Sequence, residues 1–378
     1  MIYADNAATT KLSESALEAM LPWLKEEYGN PSQPYSFSRK PKKAIAEARE
    51  VIASSINASP EEIYFTSGGT EGDNWAIKGS AFMDCDHRAT ITSEIEHHAV
   101  LNSCRAIEQL MYPVAYLKPN PLGVITATNL EAIISDRTRL VSIMLANNEI
   151  GTIQPIADLA RIAHEHGSVF HTDAVQAVGH IPVDTQKLGV DMLSASAHKF
   201  NGPRGIGFLY IRKGTKIAPY LDGGGQEHSV RAGTENVAAI VGMAEALKEN
   251  VEQLEANAAR VLALEQLLLA RLTEVEIPYQ RNGGGNRLPG LISLSFPGAN
   301  GETLLHRMDL LGICISTGSA CDSQNTQVSH VLEAIDLDET LAKGTIRISL
   351  GNGNTEEDVA GIVQALKKIL TIQPLLFV

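Results

Sequence analysis

The chain has 378 residues, a formal net charge of −13 and a sequence pI of about 5.3. That length predicts two or three domains with a large buried core. The acidic balance argues against free DNA or RNA as a direct partner, because phosphate backbones are held by clustered Lys and Arg. No apolar run reaches the ~18 residues of a bilayer span, and "MIYADNAATT" lacks the basic start and apolar core of a secretory signal. A cytoplasmic protein with no membrane partner is therefore expected. The cysteines Cys85, Cys104, Cys314 and Cys321 are irregularly spaced, which suits buried or reactive thiols in a reducing compartment better than disulfides.

Taken in chain order, strand-like apolar runs appear at 61–67, 88–93, 139–145, 167–173, 190–196 and 205–211. Helix-like stretches such as "EGDNWAIKGSAF" and "PIADLARIAHEHG" lie between several of them; the second opens on Pro and closes on Gly. This alternation predicts an α/β fold with a mostly parallel sheet covered on both faces by helices. From Val237 to Val275 the chain is rich in Ala, Leu and Glu and reads as one long helix or two. After "QRNGGGNRLPG" a second, smaller α+β block follows, with strands "LISLSF" and "IRISL" and helices "GETLLHRMDLLG" and "TEEDVAGIVQALKKIL". The expected division is a large domain over 14–255 and a small one formed by 1–13 and 256–378.

Ligands of such sheets bind beyond the carboxyl ends of the strands, and the polar residues of interest fall there. "FTSGGTE" follows the first run: Gly68 and Gly69 permit close backbone approach, and Thr70 offers a hydroxyl at a helix start, which suits a phosphate. By itself the loop fits a tight turn with an N-cap equally well. His97 and His98 follow the second run. Cys85, His87, His97 and Cys104 are zinc ligand types, but their spacing matches no common zinc motif, so no metal is expected. Asp173 ends an apolar strand, where a buried carboxylate needs a partner; a cationic ring nitrogen would serve. Lys199 follows another strand in "SASAHKFNGPRGIGFLY", flanked by Ser196 and His198. A lysine in a partly dry pocket has a lowered pKa and forms Schiff bases with aldehydes. Pyridoxal phosphate needs such a lysine, an acid for its pyridine nitrogen and a phosphate cradle. Lys199, Asp173, and Thr70 with Ser196 and His198 supply all three.

With these residues in place the sequence resembles the cysteine desulfurases, pyridoxal-phosphate enzymes of fold type I within aminotransferase class V. The motifs "DNAATT", "TSGGTEGDN", "EHHAVL", "NNEIG", "HTDAVQAVG", "SASAHKFNGPRGIGFLYIR", "GGGQEHSVRAGTENV", "STGSACDS" and "IRISLG" carry the resemblance nearly end to end. It implies that Lys199 bonds the cofactor, that Asp173 pairs with its ring nitrogen, that His97 stacks on the ring and moves protons, and that Gln176 contacts the phenolic oxygen. Gly69, Thr70, Ser196 and His198 would form the phosphate site, with Thr234 reaching in from the second subunit of a homodimer. Asn148 and Arg347 would bind the substrate carboxylate. Cys321, in the small polar stretch "STGSACDSQNTQ", would be the thiol that takes sulfur from L-cysteine as a persulfide and passes it to an acceptor protein, while Cys314 reads as a buried strand residue. The phosphate loop departs from the family in its Gly69 and Gly72, and "PLLFV" closely follows the last helix where iron–sulfur assembly members have a longer tail. The sulfur acceptor stays open between iron–sulfur cluster assembly, tRNA thiolation, DNA phosphorothioation and another pathway. A selenocysteine lyase, another class V aminotransferase or lyase, and a non-catalytic binding module on the same fold are the alternatives.

Overall fold

A computed structural model describes residues 1–317 and 328–371. The larger sheet has seven strands: β2 (Ile63–Thr66), β3 (Ala89–Ser93), β4 (Val114–Leu117), β5 (Thr138–Ser142), β6 (Val169–Asp173), β7 (Met192–Ser196) and β8 (Gly207–Ile211). Their spatial order is β2-β8-β7-β6-β5-β3-β4. Only β8 runs against the others, between β2 and β7; the pairs β7–β6, β6–β5, β5–β3 and β3–β4 are parallel. All residues of β7 and β8 are buried, the continuous burial of strands covered on both faces.

The helices cover the sheet through apolar stripes. Ile156, Leu159, Ala160, Ile162 and Ala163 are the buried residues of the helix Ile156–Glu165, a spacing that puts one face against the sheet. The Ala- and Leu-rich segment is two helices, Val237–Glu252 and Leu254–Glu274, joined at Gln253. Gln253, at φ −105° and ψ 8°, leaves the helical region and turns the chain without Gly or Pro.

A second, antiparallel sheet has the order β12 (Thr345–Ser349), β10 (Leu291–Ser295), β9 (Gln280–Arg281). The N-terminal strand β1 (Ile2–Tyr3) pairs in parallel with β11 (Ile313–Cys314), and Asp5 bridges to Ser349. Two large apolar cores result. One collects Ile52, Phe65, Val141, Phe170, Leu193, Phe208 and Leu247. The other collects Ala4, Leu268, Leu294, Ile313, Ile348 and Leu366. The chain start thus packs with its C-terminal third. Cys104 is buried and Cys85 exposed; Cys314, expected to be buried, is only half-buried, because β11 is a two-residue strand of a two-stranded sheet. Among the described residues no helix is long and apolar enough to cross a membrane.

Candidate active site

Because β2, β3, β5, β6 and β7 point the same way, the segments that follow Thr66, Ser93, Ser142, Asp173 and Ser196 converge on one edge of the sheet. They line a cavity of about 500 Å³, within the range of cofactor sites. Gly69, Thr70, His97, Asn148, Asp173, Gln176, Ser196, His198, Lys199 and Arg347 all line it.

The wall after β2 begins the helix Gly69–Phe82. Gly68 takes φ +150°, and Gly207 on the neighbouring β8 has no room for a Cβ, which would sit 2.7 Å from the Gly68 Cα and 2.3 Å from the Ala195 carbonyl. Only glycine lets this turn lie flat on the sheet. A Cβ on Gly69 would meet Val175 Cγ2 at 2.4 Å. The helix start, the Thr70 hydroxyl and buried Ser196 therefore border the cavity together, a donor set that suits a phosphate. Glu71 secures the turn: it accepts from the Ser67 amide at 2.8 Å and from Arg231 Nε and Nη2 at 2.8 and 3.1 Å.

Asp173, at the end of β6, is 6 % exposed. It accepts from the Val175 amide at 2.9 Å, yet burial pushes its carboxyl up to about 6. Such a group calls for a cationic donor, which a pyridinium nitrogen supplies. Beside it Asp73 is buried, with its Oδ1 lacking a hydrogen bond, and its pKa is also raised by burial and by the nearby Asp173. Lys199 Nζ donates to the carbonyls of Ala7 and Ala8 at 2.5 and 2.9 Å. Gln176 Nε2 donates to the Ala7 carbonyl at 2.9 Å, and His198 Nδ1 lies 3.2 Å from Thr9 Oγ1. The segment Asp5–Thr10 is thus a strap along which the site residues are ordered.

His97 is the N-cap of the helix His98–Glu108, its Nδ1 accepting from the Ala99 amide at 3.1 Å. That bond leaves the ring proton on Nε2. Burial, with Lys199 second, lowers its pKa to about 4, so the imidazole is neutral at neutral pH. His198 is likewise lowered to about 4 by burial and by Lys199. Glu96, next to His97, is 1 % exposed. It accepts from Ser93 Oγ at 2.5 Å, and both of its oxygens lie 3.1 Å from the Met144 amide. This carboxyl staples the turn bearing His97 to the segment leading to Asn148.

The described cavity groups fit pyridoxal phosphate: an amine, a buried acid and a glycine-shaped helix start facing one space. Thr234 does not line the cavity; it is exposed on the loop before Val237. Cys321 lies outside the described residues. Neither Asp73 nor Glu96 stood out in the sequence. A buried acid leaves no mark in apolar periodicity, although "EIEHH" and "EGDN" did place acids beside motif residues.

Residues 2–362 match the Aminotransferase class-V family. The chain is 47% identical to "Cysteine desulfurase IscS" of Dictyoglomus turgidum, over 99% of this chain and 96% of that protein. It is 45% identical to "Cysteine desulfurase IscS" of Methanosarcina thermophila, over 98% and 92% of the two chains. Among solved structures, a "NifS-like protein" superposes with a TM-score of 0.92 at 39% identity, covering 98% of this chain and 99% of the other. The chain belongs to the cysteine desulfurase family within the class V aminotransferases, with fold type I and dependence on pyridoxal phosphate.

Proposed function

We infer that the protein is a cysteine desulfurase that takes sulfur from L-cysteine, releases L-alanine and hands the sulfur on from Cys321. The observation that carries the reading is the meeting, in one cavity, of Lys199, Asp173, His97 and a buried Arg347.

In this reading Lys199 would hold the cofactor covalently, Asp173 would pair with its ring nitrogen, Gln176 would contact its phenolic oxygen, and Gly69, Thr70, Ser196 and His198 would bind its phosphate. The bound cofactor supplies an electron sink for the Cα carbon of the amino acid. Arg347 grips the substrate carboxylate, with Asn148 alongside; a guanidinium suits that task because its N–H groups match a carboxylate in spacing and charge. His97, neutral and with its proton on Nε2, would offer that N–H to the bound amino acid as a hydrogen-bond donor. The Cys321 thiolate attacks the substrate sulfur. The carbon–sulfur bond breaks with its electron pair going to the three-carbon fragment, and Cys321 is left as a persulfide. The acceptor is a protein thiol whose identity the site does not fix. Thr234, exposed and away from its own cavity, would complete the phosphate site of a partner subunit in a homodimer.

The test is alanine and sulfide release from L-cysteine by the purified protein, with and without Cys321→Ser. Wild type should yield both products. The variant should lose sulfide release and any sulfane sulfur on the protein, yet keep its visible cofactor band. Undiminished sulfide release from Cys321→Ser would remove Cys321 from the mechanism. A protein that takes up no pyridoxal phosphate would overturn the whole reading.

A further inference from the structure

Arg347, on β12, is 2 % exposed, and its guanidinium is held at two points. Nη2 donates to Asp5 Oδ1 at 2.8 Å, and Nη1 donates to the Asn148 carbonyl at 2.9 Å. A guanidinium has five N–H groups, so each Nη keeps one more to offer. Arg347 faces the cavity. A buried guanidinium without a counter-ion is strongly disfavoured, and Asp5 is the carboxylate paired with it in the described structure.

Asp5 is itself fixed. Its carbonyl accepts from the Ala8 amide at 3.0 Å and from Tyr3 Oη at 3.1 Å. The main chain on either side is locked to β12 by Ser349 N to Ala4 O at 2.8 Å and Asn6 N to Ser349 O at 3.1 Å. A carboxylate on so constrained a backbone sets the direction of the group it binds. The same short segment accepts Lys199 and Gln176 on the carbonyl of Ala7.

We propose that Asp5 is a positioning residue for substrate recognition: its carboxylate holds the Arg347 guanidinium, as counter-ion and fixed acceptor, so that the remaining Nη hydrogens meet the carboxylate of the incoming amino acid. The inference rests on the reading of Arg347 as the carboxylate-binding group. Asp5 does not itself touch the substrate. Its loss therefore weakens substrate binding more than it slows the reaction of bound substrate.

The experiment compares kcat, KM for L-cysteine, cofactor content and the cofactor absorption band in the holoenzyme and in its Asp5→Ala, Asp5→Asn and Arg347→Ala variants. Asp5→Ala should raise KM about tenfold or more with kcat within about threefold, and Asp5→Asn, which keeps the acceptor but not the charge, should recover part of that loss. Cofactor content and band should be unchanged in both. Asp5→Ser takes the place of Asp5→Ala if the latter does not fold. An unchanged KM in Asp5→Ala beside a raised KM in Arg347→Ala would overturn the role of Asp5 alone. Parallel loss of kcat, KM and cofactor, unrelieved by Asp5→Asn, would reduce Asp5 to a structural residue and likewise overturn it. An unchanged KM in Arg347→Ala would remove the reading of Arg347, and the inference with it.

Discussion

Replacing Glu96 by Gln should make the stability of the protein less dependent on pH, in one direction. Burial raises the Glu96 carboxyl from 4.5 to about 8, against the opposing effect of its hydrogen bonds from Ser93 and Met144. Folding therefore keeps a proton on Glu96 that the unfolded chain has already given up. The folded-state pKa lies above the unfolded one, so the contribution is fully present below pH 4.5 and is lost as pH rises through about 8. Within that window the loss is about 1.4 kcal/mol per pH unit, so between about pH 5 and 7.5 it reaches about 3 kcal/mol as an upper figure. Glutamine does not titrate. Its oxygen can accept from the Met144 amide and its NH₂ can donate to Ser93 Oγ, which turns from donor to acceptor. Glu96→Gln should thus gain on wild type steadily as pH rises. Urea unfolding of both proteins at a series of pH values, followed by fluorescence of the fully buried Trp75, gives the difference directly. A wild-type-to-variant difference flat across this range would show that Glu96 is ionised in the fold, and the burial argument would fail.

Two further outcomes rest on the same structure. Arg49→Met should destabilise the protein by about 3–5 kcal/mol, because Glu227, 3 % exposed at its side chain, loses the partner that binds it at 2.6 and 3.0 Å. Adding Glu227→Gln should recover part of that, measured by the same urea unfolding; no recovery would mean that the charge is not the cause. Gly69→Ala should lower affinity for pyridoxal phosphate about tenfold or more, since overpacking typically costs about 1–3 kcal/mol and the new Cβ would stand 2.4 Å from Val175 Cγ2. Titrating the cofactor-free protein and following the visible band would show it, and Val175→Ala in the same chain should restore binding.

Much of the site was legible in the sequence because many of its groups end or follow a strand of the larger sheet. An apolar run of four to six residues announces the strand, and the residue after it falls at the ligand-binding edge. Asp173, Ser196 with Lys199, and the Gly68–Thr70 turn were found this way. The short strand Val114–Leu117 was not. It lies at the sheet edge, and only Leu117 of its residues is buried, so it shows no sustained apolar run. Nor does periodicity encode direction, and the reversal of β8 appeared only in the pairing.

The sequence by itself determined the α/β class and the main alternation of strands and helices, because these depend on near neighbours and on residue type. Tertiary structure alone decided which distant groups hold one another. Asp5 meets Arg347 across 342 positions of chain, Arg49 meets Glu227 across 178, and Glu96 reaches the Met144 amide across 48. Such pairs are set by how the cores pack and by the need to satisfy every buried charge. No local pattern records either condition.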